Sequence, residues 1–569
     1  MPFTAPVSEF EFLLHHVAGF GTVQATERFS DATDDLVHAV LSEAGRLCTD
    51  VLEPVRRAGD LTPAYLENGL VRTVPGTRSA YGQLAEGGWV SVAAPAEFGG
   101  MGLPNVLQTA INDMMSAANL GIQTGALLSQ GQIEAIAAHA SQPLKERYLP
   151  HLISGKWSGT MNLTEPHAGS DVGALTTRAT AVGDGTYRIT GTKIYITYGD
   201  SDLVDNVVHL VLARLPGAAA GTKGISLFLV PKRLPDAAGE AGAANGVSVR
   251  SVEHKMGLHA TPTCVMEYDG ATGWLVGEEG GGMAAMFTMM NSARLGVACQ
   301  GIGAAEGATQ AALAWALERK QGRTPLGNGD GPIAEHADVR RMLAHMRAET
   351  FAARAIALAC AVAIDMETAT DAPEWAARAA LLTPIAKAFG TDVGNDVAAL
   401  AIQVHGGMGF VEETGVAQFA RDVRVTTIYE GTNGIQAMDL VGRKLSDGGE
   451  AAFRLLEEVQ TGAETARAAH QARAADVWQA AENLRETTEW LVEQGLQDRF
   501  AGAVPYLRAF ARVVGGHYHL KAAIAEPARL PLASFFVERL LPEHAALLAQ
   551  ARAGEAGLYA ITNDALAAA

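Results

Sequence analysis

The stretch "TYRITGTKIYITYG", Thr186–Gly199, decides the fold. Its β-branched and aromatic residues read as a strand. The sequence before it does not: from about Asp34 to 156 the pattern is mostly helical, as in "LVHAVLSEAGRLCTDVLEPVRRAG" and "NVLQTAINDMMSAANLGIQTGALLS", broken by the turn-rich "APAEFGGMGLP" at 94–104. Between about 157 and 276 more short β-branched runs follow, among them "NVVHLVLARL", "GISLFLVPKRL" and "GVSVRSVEHKMG". They predict an antiparallel β domain, barrel or sandwich, with "PDAAGEAGAANG" (235–246) as a flexible surface loop. Helix returns near 280 in three long patterns that predict a bundle, and a further helical block follows "SDGGE" at 446–450. Residues 1–30 read as an extended lead and a short helix. The expected organisation is an N-terminal extension (1–35), a helical domain (36–156), a middle β domain (157–276), a helical bundle (277–445) and an additional helical domain (446–569).

Bulk properties narrow the function. At 569 residues the chain exceeds one core, since domains run to about 100–200 residues. Hydrophobic residues make up 48% and charged residues 18%, which argues against disorder. A net charge of −19 disfavours nucleic acid and anionic membranes as partners. Cys48, Cys264, Cys299 and Cys360 are far apart and fit a reduced, cytoplasmic protein without a disulfide framework or a cysteine zinc site. The N-terminal "MPFTAPVSEFEFLLHHVAGF" lacks the basic leader of a signal peptide, and no uninterrupted run is long enough to span a membrane. HExxH, EF-hand and GxSxG patterns are absent, so no metal site is expected.

Three motifs stand out. "QGIGAAEG" (300–307) is one residue off the dinucleotide fingerprint and lies inside a helical pattern, so close helix packing is the better reading. "MNLTEPHAGSDVG" (161–173) is either an ordinary strand-ending turn or a loop offering N–H groups and hydroxyls to a planar ring or phosphate. In "TTIYEGTNGIQ" (426–436), Glu430 is either an exposed acid after a helix or a carboxylate held in a pocket, with Gly431 and Gly434 freeing the backbone behind it.

Together these motifs resemble the acyl-CoA dehydrogenase family. "LTEPHAGSD" resembles its flavin-contacting loop and "GTKIYITYG" its next flavin strand. "ALERKQGR" resembles a helix end reaching a neighbouring subunit's FAD, "QVHGGMGF" a loop near FAD, and "IYEGT" the catalytic glutamate motif. The motifs fall in the family's order over about residues 36–445. The resemblance implies an α+β multidomain fold: N-terminal helical domain, middle antiparallel β-barrel, C-terminal helical bundle and an additional C-terminal helical domain, as in the large bacterial branch. It implies FAD-dependent conversion of an acyl-CoA thioester to a trans-2-enoyl-CoA, with Glu430 taking the α-proton and flavin N5 the β-hydride.

Carried over by position, Met161, Leu163, Thr164, Gly169, Ser170, Tyr195, Thr197, Arg319, Gln321, Gln403, Gly406, Gly407, Thr432 and Gly434 would contact cofactor. Ser170, Asn291, Arg294 and Gly431 would contact substrate. The acceptor implied is electron-transferring flavoprotein, and the assembly a homo-oligomer, with a dimer preferred over a tetramer. Three positions depart from the family pattern. Tyr195 stands where many members have a stacked Trp, and Gly434 where many have Gln. Ala293 occupies the position where some branches carry the base, leaving Glu430 as the candidate. An acyl-CoA oxidase, or an FAD-binding scaffold without activity, stays open as an alternative.

Overall fold

The computed structural model describes residues 3–568. The chain divides into two compact units, one formed by Ser42–Gly296 with residues 3–5, the other by Pro6–Leu41 with residues 297–568.

In the first unit, helix α1 (Asn105–His139) is buried along nearly its whole length. Asn119 leaves helical geometry, with φ −157° and ψ 90°, and repairs the break itself. Its side-chain amide donates to Leu52 O at 3.0 Å and its Oδ1 accepts from the Ile122 N–H at 3.2 Å. A side chain inserted into the ladder in this way is a recognised cause of a kink. The 34–156 region is not wholly helical: Tyr65–Glu67 and Leu70–Arg72 pair as a hairpin. Its turn is Asn68-Gly69, both at positive φ (51° and 77°), the preferred dipeptide for a two-residue hairpin. Strands of three residues left too short a pattern beside long helical ones.

The β domain is built from β1 (Trp157–Asn162), β2 (Arg178–Ala181), β3 (Tyr187–Thr197), β4 (Asn206–Arg214), β5 (Ile225–Pro231), β6 (Val247–Val252) and β7 (Thr263–Val276). The pairings β7–β3, β3–β2, β2–β4, β4–β5 and β5–β7 close a ring, with β1 and β6 on its flanks. Antiparallel pairs dominate, as expected; β1–β4 and β2–β4 run parallel. β7 closes the ring by changing partner: Gly273 pairs with Tyr187 of β3, and the next residue, Trp274, with Leu229 of β5. A Cβ on Gly273 would come within 2.9 Å of the Val230 side chain, so the corner needs glycine. The expected loop at 235–246 is instead partly a hairpin, Arg233–Pro235 with Ala241–Ala244. One strand is Arg-Leu-Pro and the other only Ala and Gly, so neither carries a β-branched or aromatic strand signature.

Helix α2 (Gly282–Glu318) contains the boundary between the units. In the second unit it is followed by α3 (Ala337–Thr370), α4 (Pro373–His405), α5 (Glu450–Glu493) and α6 (Ala503–Ala525). The "QGIGAAEG" segment lies within α2, as the packing reading expects. A Cβ on Gly301 would collide with Gly390 O and lie 2.6 Å from Thr391 Cα on α4, so the two backbones meet directly. The expected lead is short, residues 3–6 lying outside helix and strand, and two short helices follow it, Val7–His16 and Phe20–Gln24, the first clasped by the C-terminal region. Arg529 donates to both carboxylate oxygens of Glu9 (3.0 and 2.7 Å) with its guanidinium 3.6 Å above the Phe12 ring, and Lys521 donates to Val17 O at 2.7 Å.

Gly301→Val should therefore force α2 and α4 apart and lower stability by about 1–3 kcal/mol, read as a lower urea midpoint. A midpoint equal to the parent's would mean the crossing tolerates a side chain.

Candidate functional site

The loop after β1 is held by one carboxylate. Glu165 and Ala168 exchange main-chain hydrogen bonds at 2.9 and 3.0 Å, closing a tight turn. The buried Glu165 side chain then collects five donors. Oε2 accepts from Thr176 N–H (2.7 Å) and hydroxyl (2.8 Å); Oε1 accepts from Thr177 N–H (3.0 Å), its hydroxyl (2.6 Å) and Lys193 Nζ (2.9 Å). Lys193, in β3, is 0% exposed and also donates to Leu163 O at 2.9 Å. Burial alone would raise the Glu165 pKa, but the Lys193 charge and the Thr177 and Thr176 donors hold it down to about 2. Burial pulls the Lys193 ammonium below its usual value while Glu165 opposes that shift.

These bonds bring the expected β-domain residues together. Ile194 N–H donates to Thr164 O (3.0 Å) and the Thr160 hydroxyl to Thr197 O (2.7 Å), so β1, which bears Met161, and the loop bearing Leu163 and Thr164 are tied to the strand bearing Tyr195 and Thr197. Gly169 and Ser170 lie exposed farther along it, with open space beside Gly169. Between the β3–β7 pairs Lys193–Met266 and Ile196–Cys264, two β3 residues face one on β7, a bulge. Tyr195 sits on it at φ +58° with 62% of its surface exposed. A bulky residue at positive φ is uncommon and marks a constrained position.

At the start of α2, Arg294 is buried, donates to Asn291 Oδ1 at 3.3 Å and stands 5.9 Å over the Phe287 ring. Ala293 is buried and carries no acid. The neighbouring Ser292 donates to Glu134 of α1 at 2.9 Å, and burial lifts the Glu134 carboxyl to about 7 against that bond. Sequence reasoning missed Glu134, which sits in the ordinary helical run "GQIEAIAAH".

In the second unit the chain around Glu430 is a left-handed turn. Glu430 has φ +57° and Gly431 +83°, and Thr432 then caps the helix Asn433–Asp439 by accepting from Ile435 N–H. Fully buried Gln436 donates to Glu430 O (3.1 Å) and Gly431 O (3.2 Å). Fully buried Lys387, on α4, donates to Gly431 O (3.0 Å) and Asn433 Oδ1 (2.9 Å). The Tyr429 hydroxyl donates to Gln300 Oε1. Glu430 is thus neither an exposed tail acid nor a helix residue: it is half-buried on a turn fixed from below. Sequence reasoning missed Lys387, Gln436 and Gln300; the available signal was a lysine inside the apolar run "LLTPIAKAFG".

Arg319 and Gln321 lie exposed beyond α2, with Arg319 Nη2 donating to Gln321 Oε1 at 3.4 Å. Gln403, Gly406 and Gly407 are exposed at the end of α4. His405 between them is buried, donates from Nδ1 to Ala401 O and stacks on Trp315 with centroids 5.1 Å apart, which is a packing role. His336 precedes α3 and lies 2.8 Å from Gln321 O through Nε2, fixing the loop rather than facing outward. Among the described residues no His, Cys, Asp and Glu group could hold a metal, and no helix is long and apolar enough to cross a membrane.

Four family models match the sequence. They are the acyl-CoA dehydrogenase N-terminal domain at 39–156, middle domain at 160–271 and C-terminal domain at 280–445, and an acetyl-CoA dehydrogenase C-terminal-like domain at 455–562. The chain is 44% identical over 544 residues to the 3-methylmercaptopropionyl-CoA dehydrogenase of Ruegeria pomeroyi, covering 93% of this chain and 92% of that one. It is 34% identical over 471 residues to a broad-specificity linear acyl-CoA dehydrogenase of Mycobacterium tuberculosis, covering 79% and 76%. An acyl-CoA dehydrogenase of Bacillus anthracis, solved with FAD, shares the fold with a TM-score of 0.74 at 21% identity, over 99% of this chain and 93% of that one.

The loop geometry makes Lys193→Met a severe change, because it strands a buried carboxylate: about 3–5 kcal/mol should be lost at neutral pH, seen in urea unfolding. The pH dependence has a defined sign. Glu165 has a depressed pKa in the fold, so its contribution is full above the ordinary glutamate value of 4.5 and disappears as pH falls from there toward 2. An acid titration by circular dichroism should show the variant unfolding at higher pH than the parent; coincident curves would count against the pair.

Proposed function

The chain belongs to the acyl-CoA dehydrogenase family and is an enzyme of that class, and on this premise we propose the chemistry of its site residues. Glu430 removes a proton from Cα of an acyl-CoA thioester as general base, and the β-hydrogen leaves as hydride, giving a trans-2-enoyl-CoA. The observation that carries this reading is the Glu430–Gly431 turn: a carboxylate on a left-handed backbone whose carbonyls are pinned by buried Lys387 and Gln436. A weak carbon acid needs a base in fixed register with its proton, and stabilisation for the oxygen that gains charge. The Glu430 main-chain N–H is the group we assign to the thioester oxygen, with Gly431 admitting the close approach.

The residues present fit FAD. The exposed Tyr195 ring on its bulge offers a stacking face, Thr164 and Thr197 offer polar groups from one joined loop and strand, and the space beside Gly169, Gly406 and Gly407 is open. Met161, Leu163, Ser170, Thr432 and Gly434 are the further contacts we assign, and Arg319, Gln321 and Gln403 would hold the distal part. FAD, when bound, supplies the hydride acceptor at N5. Asn291 and Arg294 with Ser170 would hold substrate. Electron-transferring flavoprotein is the acceptor in this reading, and the location cytoplasmic. A homo-oligomer, with a dimer preferred, draws support from exposed Met408, Phe410 and Val411 just past Gly407, of which Phe410 is 91% exposed. A short thioether-bearing acyl group is the first substrate we would try, in view of the name of the Ruegeria relative, with linear chains next.

Anaerobic mixing of the FAD-loaded protein with acyl-CoAs of these kinds should bleach the flavin band. Glu430→Gln should slow that bleaching by about 10²–10⁴-fold or more. A yellow protein that no chain bleaches would sink the proposal, and peroxide released in air at the rate of turnover would make the protein an oxidase.

A further inference from the structure

A glutamate at positive φ is a strained choice, and such strain persists only where the surroundings over-determine it. Around Glu430 the determinants are specific. The carbonyl of Glu430 itself accepts from Gln436, and the next carbonyl, of Gly431, accepts from both Gln436 and Lys387. Lys387 Nζ reaches also to Asn433 Oδ1, and the Asn433 amide donates in turn to Asp392 Oδ1 at 2.7 Å and to Ala388 O at 3.2 Å. Two successive peptide planes after Glu430 are therefore fixed from beneath by side chains of 0% exposure. An ammonium buried to that degree is costly unless hydrogen-bonded, and a core position would otherwise favour Leu or Met. The function of such a lysine lies in what it grips.

We propose that Lys387 is a positioning residue for the reaction, with Gln436 as its second clamp: together they set the Glu430–Gly431 peptides so that carboxylate and main-chain N–H of Glu430 meet the substrate in one geometry. This rests on the reading of Glu430 as the base. Lys387 touches neither substrate nor cofactor in this role; it acts through the backbone of the residue that does. Loosening the clamp leaves the carboxylate present but spread over geometries, which penalises proton removal more than binding.

The test uses the full-length FAD-loaded protein and an acyl-CoA in which sulfur replaces Cβ. Its α-proton can be removed but it has no β-hydride to give, so deprotonation stops at an enolate visible as a long-wavelength band against flavin. In Lys387→Met, the probe should bind within about threefold of the parent, followed by the main flavin band. The enolate band at saturation should fall by about tenfold, its pH midpoint moving up by about one unit, since one unit is a factor of ten. Gln436→Met should move both in the same direction. Parental band intensity and midpoint in the variants would overturn the positioning role, whatever their stability. If Lys387→Met does not retain FAD, Gln436→Met decides by the same criterion. A parent that forms no band, or a Glu430→Gln that keeps it, overturns the base assignment itself and the clamp with it.

Discussion

A buried ammonium must be solvated by the protein, and in both compact units the solvating group is the carbonyl of a loop that sequence analysis marks as functional. Lys193 grips Leu163 O in the β domain, and Lys387 grips Gly431 O in the helical unit. Both are 0% exposed. Removing Lys193 would take its donor from Leu163 O and from the Glu165 carboxylate, and removing Lys387 would leave Gly431 O held by Gln436 alone, each at the cost of an unmade hydrogen bond. The loops are therefore as rigid as the cores they stand on, although by sequence they read as turns.

Rigidity is also what allows strain. Tyr195 and Glu430 are both non-glycine residues at positive φ, one on a bulge and one on a turn. Glu430 is followed by the lysine- and glutamine-held carbonyls just described, and beside Tyr195 the Ile194 N–H donates to Thr164 O. Six such non-glycine residues occur among those described, the others being Asn68, Tyr198, Leu258 and Asp371, and these two fall at the stacking and base positions of the proposal. Each outlier also aims a side chain that regular structure would turn away: a regular strand would alternate Tyr195 with its neighbours, and a helix would continue past Glu430.

The layer order of the fold was legible because it depends on long patterns. Helical periodicity on both sides of β-branched runs survives any local exception, and the order of five motifs located Glu430 among several acids. What escaped was short or non-periodic. The Asn68-Gly69 hairpin has three-residue strands, and the Ala-Gly strand at Ala241–Ala244 carries no propensity signal. The supports of the site escaped for another reason. Lys193 lies inside a recognised motif and Lys387 inside a helical run, but which carbonyl a lysine reaches is set by tertiary packing. Pattern reading finds the residue that does chemistry more easily than the one beneath it.

The clasp between Glu9 and Arg529 spans 520 positions in sequence, and that between Val17 and Lys521 spans 504. During synthesis at about 5–20 residues per second, the first partner waits roughly half a minute to two minutes for the second. Through that interval Phe10, Leu13 and Leu14, all 0% exposed in the finished chain, have no C-terminal helices to cover them. A contact of such range closes late, because its loop entropy is recovered only after nearer contacts form. Arg354 already stands over Phe10 from α3, so what the last helices add is the seal, and the clasp is complete only once they have arrived.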